Sequence, residues 1–69
     1  MERKKIFVTL TEDYVTSYGN DPVTFKKGWK VWDYEDDIFE SQGRKMILAK
    51  NNIGLIIGFL DLSKTDFVL

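Results

Sequence analysis

Val23-Thr24-Phe25-Lys26-Lys27-Gly28-Trp29-Lys30-Val31 decides the fold class of this chain. Its β-branched and aromatic residues suit a half-buried pleated surface. Gly28 supplies a backbone conformation that costs a residue bearing a side chain about 1 kcal/mol or more. The stretch predicts a short strand at 23–25, a tight turn at 26–28 and a second strand from Trp29 to Tyr34. Alternation puts Trp29 and Val31 on one face of that strand and Lys30, Trp32 and Tyr34 on the other. A helix competes only over Trp29–Phe39, where Asp33, Glu35, Asp36 and Asp37 do not segregate to one side. The fold class read from this is a small all-β domain.

The same two-residue period runs outward in both directions. From Lys5 to Thr11, Ile6, Val8 and Leu10 alternate with Phe7, Thr9 and Thr11. Glu12–Asp21 is polar and carries two tyrosines, and Gly19-Asn20-Asp21-Pro22 signals a turn. Pro22 has no N–H and belongs at a strand start or edge. Glu35-Asp36-Asp37 repel one another, which predicts a solvated loop, and Ile38 and Phe39 either extend a hairpin or anchor that loop. Gln42-Gly43 is a second turn. Lys45–Lys50 reads as a strand with Met46 and Leu48 on one face and Ile47 and Ala49 on the other. Asn51-Asn52 is a hairpin turn, since Asn tolerates positive φ. Gly54–Leu60 reads as a strand, with Gly58 marking a bulge or bend, and the apolar run Ile53–Phe59 reads as a central one. Residues 61–66 hold one helical turn, capped by Asp61 or Ser63. Phe67-Val68-Leu69 is a last short strand.

Sixty-nine residues suffice for one domain, residues 1–69, with a small core. Cysteine and histidine are absent, which excludes disulfides and thiolate or imidazole metal sites. Ten aromatic residues must supply the packing instead. Ten basic and eleven acidic residues give a net charge of -1, without the basic excess of a dedicated nucleic-acid binder. The most apolar stretch, Ile53–Leu60, is too short to cross a bilayer, and no signal peptide follows Arg3-Lys4-Lys5. The expected location is cytoplasmic, with no membrane partner. Ala49 is the sole alanine, while Lys, Asn, Ile and Asp are frequent, as in an AT-rich bacterial or phage genome.

The order of elements resembles the Src-homology-3 (SH3-like) barrel. Phe7-Val8-Thr9-Leu10 is similar to that family's first strand, Val23–Gly28 to its strand and diverging turn, and Glu35–Arg44 to its acidic loop. Met46–Lys50, Gly58-Phe59-Leu60 and Asp66-Phe67-Val68 resemble its later strands. The resemblance implies a single five-stranded barrel with a 3-10 turn near residues 61–66. The family binds proline-rich peptides in an aromatic groove. Its groove positions fall here on Tyr14, Met46, Asp61 and Phe67, so only Tyr14 keeps the groove chemistry. The resemblance implies the barrel and not the peptide specificity.

For function, no His, no Cys, and no Ser or Lys beside a base marks a catalytic centre, so no enzyme and no cofactor are expected. Asp33, Glu35, Asp36, Asp37 and Glu40 cluster, and the charge-run rule reads them as a solvated acidic loop. Arg3, Lys4 and Lys5, with Lys26, Lys27 and Lys30, keep turns soluble and guard edges. Non-catalytic binding of a protein partner is the expected role. The surface is Tyr14, Tyr18, Trp32, Tyr34, Glu35, Asp36 and Asp37, with aromatic anchors and carboxylates steering a basic partner. Single-stranded nucleic acid on Trp32 and Tyr34, helped by lysines, is the alternative. An unpaired terminal strand allows a monomer or a weak homodimer. Whether Trp32 and Tyr34 face solvent or the core is left open by the sequence.

Overall fold

The computed structural model describes residues 2–68, and all regular elements among them are strands and short 3-10 turns. The strands are β1 (Lys5–Thr9), β2 (Tyr14–Tyr18), β3 (Asp21–Phe25), β4 (Lys30–Tyr34), β5 (Phe39–Ser41), β6 (Arg44–Lys50) and β7 (Ile56–Asp61). The 3-10 turns are Glu35–Asp37 and Leu62–Lys64. A five-stranded sheet runs β1-β4-β6-β5 with β7 on the far side of β6, and β2 and β3 form a separate two-stranded sheet. No helix among the described residues is long and apolar enough to cross a membrane.

The all-β class expected from sequence is what forms, but the hydrogen-bonded strands do not close into a barrel. The strands flanking the Lys-Lys-Gly turn diverge instead of pairing: β3 pairs with β2, and β4 pairs with β1. Gly28, at φ +90°, lets the chain reverse, and its N–H donates to Leu10 O at 2.9 Å. Glu12–Asp21 is not merely polar loop. Its residues 14–18 make β2, closed onto β3 through the Gly19-Asn20 turn. Pro22 is the second residue of β3, opposite Ser17, in a two-stranded sheet where both strands are edges and its missing N–H is tolerated.

The core is Val8, Leu10, Phe25, Val31, Ile47, Ala49, Leu60 and Leu62, all nearly solvent-free, with Ile6, Tyr14, Val23, Ile38, Ile57 and Phe67 packed around it. Alternation explains most of this set: Ile47 and Ala49 point in from β6, and Val8 from β1. Trp29 does not join Val31 in the core. It lies before β4 begins, stays 44% exposed, and touches Phe25 edge-on at 6.5 Å.

Two further expectations are corrected. The run Ile53–Phe59 is not a central strand. Ile53 and Leu55 lie in an exposed loop, folded around the Asn51 side chain, which accepts from the N–H groups of both. β7 starts at Ile56 and pairs only with β6. The register between them slips beside Gly58. At Gly58 itself a Cβ would meet Val23 and Tyr18 at 3.5–3.6 Å, so the β2–β3 hairpin lies directly against it. Secondly, Phe67 and Val68 are in no strand, and Leu69 lies outside the described residues. The chain after Leu62–Lys64 does turn back along β1. Leu10 bridges Thr65, and Asp66 exchanges hydrogen bonds with Thr9 at 2.9 and 3.0 Å. Asp61 caps the preceding 3-10 turn by accepting from Ser63 N at 2.9 Å.

Candidate functional site

The outer face of β1 and β4 is built from three cross-strand pairs: Lys5 opposite Tyr34, Phe7 opposite Trp32, and Thr9 opposite Lys30. Ile6 and Val8 turn inward on β1, as do Val31 and Asp33 on β4, so these six side chains share the opposite side. Phe7 is 72% exposed. Trp32 and Tyr34 are half-buried, which answers the question the sequence leaves open: they are neither core residues nor free rings. The Trp32 indole N–H donates to Asn51 O at 2.7 Å, and its ring meets Tyr34 edge-on at 5.3 Å and Phe7 at 6.5 Å. Cations surround the group. Lys5 Nζ lies 4.7 Å from the Trp32 ring centre, Lys50 Nζ lies 5.5 Å from it, and Arg3 Cζ sits 4.0 Å over Tyr34.

The neighbouring acidic residues Glu35, Asp36 and Asp37 form an exposed 3-10 turn whose three charges are met by two cations. Arg3 Nη2 donates to Asp36 at 2.8 Å and also bonds Asp37, while Lys4 Nζ lies 3.3 Å from Glu35. The hydrogen bond from Arg3 holds the Asp36 carboxyl below its ordinary range, and the same bond raises Arg3. Arg3-Lys4-Lys5 thus divides: two side chains serve the acidic turn and the third reaches Trp32.

Asp33 departs most from the solvated acidic loop expected of it. It is completely buried. β4 pairs with β6 only at Trp32–Lys50, and β5 takes over from Met46, so β6 lacks a strand partner between them. The Asp33 carboxylate occupies this gap. Oδ2 accepts from Leu48 N at 3.1 Å, and Oδ1 accepts from Tyr34 N at 2.7 Å and from Lys50 Nζ at 2.6 Å.

A second aromatic group lies where the β2–β3 hairpin meets β5 and β7. Phe59 contacts Tyr18 at 6.0 Å and Phe39 at 5.9 Å, both edge-on. All three rings are more than a third exposed. A cleft beside them is lined by Thr16, Ser17, Phe39, Ser41, Gln42, Met46 and Phe59, with no charged side chain. The pairings Phe39–Met46 and Leu48–Phe59 put these residues on the same face of the sheet as Lys50 and Trp32. Tyr14 belongs to neither group, since it packs half-buried on Phe25 at 6.4 Å.

The residues proposed from sequence therefore separate. Trp32 and Tyr34 stand together beside Glu35, Asp36 and Asp37, Tyr18 joins Phe39 and Phe59, and Tyr14 braces the core. Phe7 and Phe59 were missed, although the β1 alternation already set Phe7 opposite Ile6 and Val8. No protein-family model matches the chain, and comparison with curated proteins and with solved structures likewise gives no significant match.

Proposed function

We propose that this chain is a non-catalytic module that binds a protein partner through the cleft at Phe39 and Phe59, beside Tyr18. The observation that carries it is the exposed Phe59 ring in edge contact with both Tyr18 and Phe39, beside a cleft without charge. Aromatic and Met-rich centres depleted of charge, with a polar rim, are the composition of protein interfaces. Here Met46 and the rings form the centre, and Thr16, Ser17, Ser41 and Gln42 form the rim. Two side-chain torsions per ring make such anchors cheap to immobilise.

We read the architecture as an open relative of the Src-homology-3 barrel. The supporting features are a hairpin between the first strand and a diverging turn, a meander of three strands, a 3-10 turn, and a return toward β1 at Leu10–Thr65. The carboxylates are reassigned in this proposal. Glu35, Asp36 and Asp37 hold Arg3 and Lys4 and keep only one excess charge, so steering of a basic partner is weak and affinity rests on the uncharged cleft.

The test compares wild-type protein with Phe39→Ser/Phe59→Ser, both immobilised and exposed to source lysate at roughly 200 mM salt, where phosphate-driven binding is weakened. The expected result is a protein retained by the wild type and lost by the variant, with the variant less stable but still folded, as a cooperative urea transition shows. Equal retention by both, or no retained protein, refutes the proposal.

A further inference from the structure

We infer that the outer face of β1 and β4, separate from the cleft above, is a platform for single-stranded nucleic acid. Its six side chains are Lys5, Phe7, Thr9, Lys30, Trp32 and Tyr34: three aromatics, two lysines, one threonine and no carboxylate. The chain's overall charge of -1 conceals this, because its acids lie elsewhere. Asp33 is the one acid within β4, and its carboxylate is buried in the gap between β4 and β6, paired with Lys50. Arg3 and Lys4 pair with Glu35, Asp36 and Asp37 and leave that turn a single excess negative charge. Among the described residues neither Lys5 nor Lys30 has a carboxylate within ion-pair distance. These two lysines lie at opposite ends of the face, with Phe7 and Trp32 paired between them.

That order matches a strand of nucleotides laid across β1 and β4. Every base has a π-face, so stacking on an exposed ring tolerates any sequence, while the phosphates follow the cations. Phe7 is the free platform. Trp32 supports it from one side and is itself fixed by its bond to Asn51. An acidic peptide satisfies the lysines but leaves the 72% exposed Phe7 ring without a stacking partner. This difference favours bases over carboxylates.

The test is fluorescence anisotropy with a labelled oligothymidylate of about ten nucleotides, a length within the usual site sizes, at roughly 50 mM and 200 mM salt. The expected result is saturable binding at the lower salt. Phe7→Ala weakens it about fivefold or more, the loss of one stacked base, while Phe7→Trp retains it. Lys5→Gln and Lys30→Gln each reduce the slope of log K against log salt by about 0.7, the value for one single-strand phosphate contact. Both positions are exposed, so the fold survives, and unchanged urea midpoints verify it. No binding at the lower salt overturns the inference. So does an affinity indifferent to Phe7→Ala, and so does equally tight binding of inorganic polyphosphate or an oligoglutamate. Failure here leaves the protein-binding cleft untouched, because the two sites share none of the substituted residues.

Discussion

Asp33 Oδ1 accepts a hydrogen bond from Lys50 Nζ at 2.6 Å, in a place where one side chain is fully buried and the other is 16% exposed. The pair stands in the seam that β4 leaves when it departs from β6. Asp33 also satisfies Leu48 N, and Lys50 donates a second bond to Leu48 O at 3.2 Å. Side chains thus finish a ladder that backbone does not complete. The outer face of the sheet depends on it, since Lys50 lies beside the rings of Trp32 and Tyr34.

Removing one partner of a buried pair strands a charge and typically costs about 3–5 kcal/mol. A chain of this length has roughly 3–10 kcal/mol in total, at the usual value per residue. Lys50→Met alone should therefore bring the protein close to unfolding. The double variant Asp33→Asn/Lys50→Met keeps an acceptor for Leu48 N and buries no charge. It should be more stable than the single variant, an ordering read directly from urea midpoints. A double variant less stable than Lys50→Met would show that the charge pair does not govern this seam.

The Gln42–Gly43 turn joins β5 to β6 with both residues at positive φ, 53° and 77°. Two-residue hairpins of this hand favour Asn-Gly. Gln has no such tolerance of the left-handed region, so the wild-type sequence carries strain there. Gln42→Asn should raise stability by about 0.5–1 kcal/mol, and Gly43→Ala should lower it by about 1 kcal/mol or more. Thermal or urea melting distinguishes the two signs. Loss of stability with Gln42→Asn would contradict the turn geometry.

Alternation made much of the core legible: Val8, Leu10, Val31, Ile47 and Ala49 all lie where a period of two places them. The Gln42–Gly43 turn and the Asp61 cap were also readable, because each rests on local backbone chemistry. Three things were not. β2 hid in a polar segment because one of its faces is open to solvent, leaving only Tyr14 and Thr16 half-covered. Asp33 reads as one more acid in a charged run, and only the divergence of β4 from β6 makes it a buried plug. The partition of the tyrosines needed tertiary structure, since the hairpin that carries Tyr18 to Phe59 packs on β7, far along the chain.

The Arg3–Asp36 contact gives a prediction in pH. Arg3 donates to Asp36 from both Nε and Nη2, and this lowers the carboxyl's pKa in the folded state. A depressed folded pKa means stabilisation present above the unfolded pKa and lost as pH falls through the folded one. The site is exposed, so the effect on stability is slight, and NMR titration of the carboxyl carbon is the suitable measure. The Asp36 midpoint should lie below the ordinary aspartate range and return to it in Arg3→Gln. An unshifted midpoint in the wild type would mean that the N-terminal segment does not stay on the acidic turn in solution, and that Glu35–Asp37 are free to act on a partner.

At Gly58 the β2–β3 hairpin packs against β7, and the distances decide what it tolerates. An added Cβ would stand 3.5 Å from both Val23 methyl carbons and 3.6 Å from Tyr18 Cβ, which is ordinary contact and not a clash. Gly58 also has no positive φ. Gly58→Ala should therefore fold normally and change stability by less than about 1 kcal/mol, with the reduced freedom of the unfolded chain in its favour. Gly58→Leu has no such room. Its extra carbons must push the β2–β3 hairpin off β7, at about 1–3 kcal/mol for an overpacked contact. The displacement is visible without a crystal. Tyr18 rides on the hairpin and Phe59 on β7, so their ring resonances should shift in Gly58→Leu and stay near wild-type positions in Gly58→Ala. If alanine disturbs those rings as much as leucine does, the hairpin sits closer to β7 than described, and the cleft beside Phe59 narrows with it.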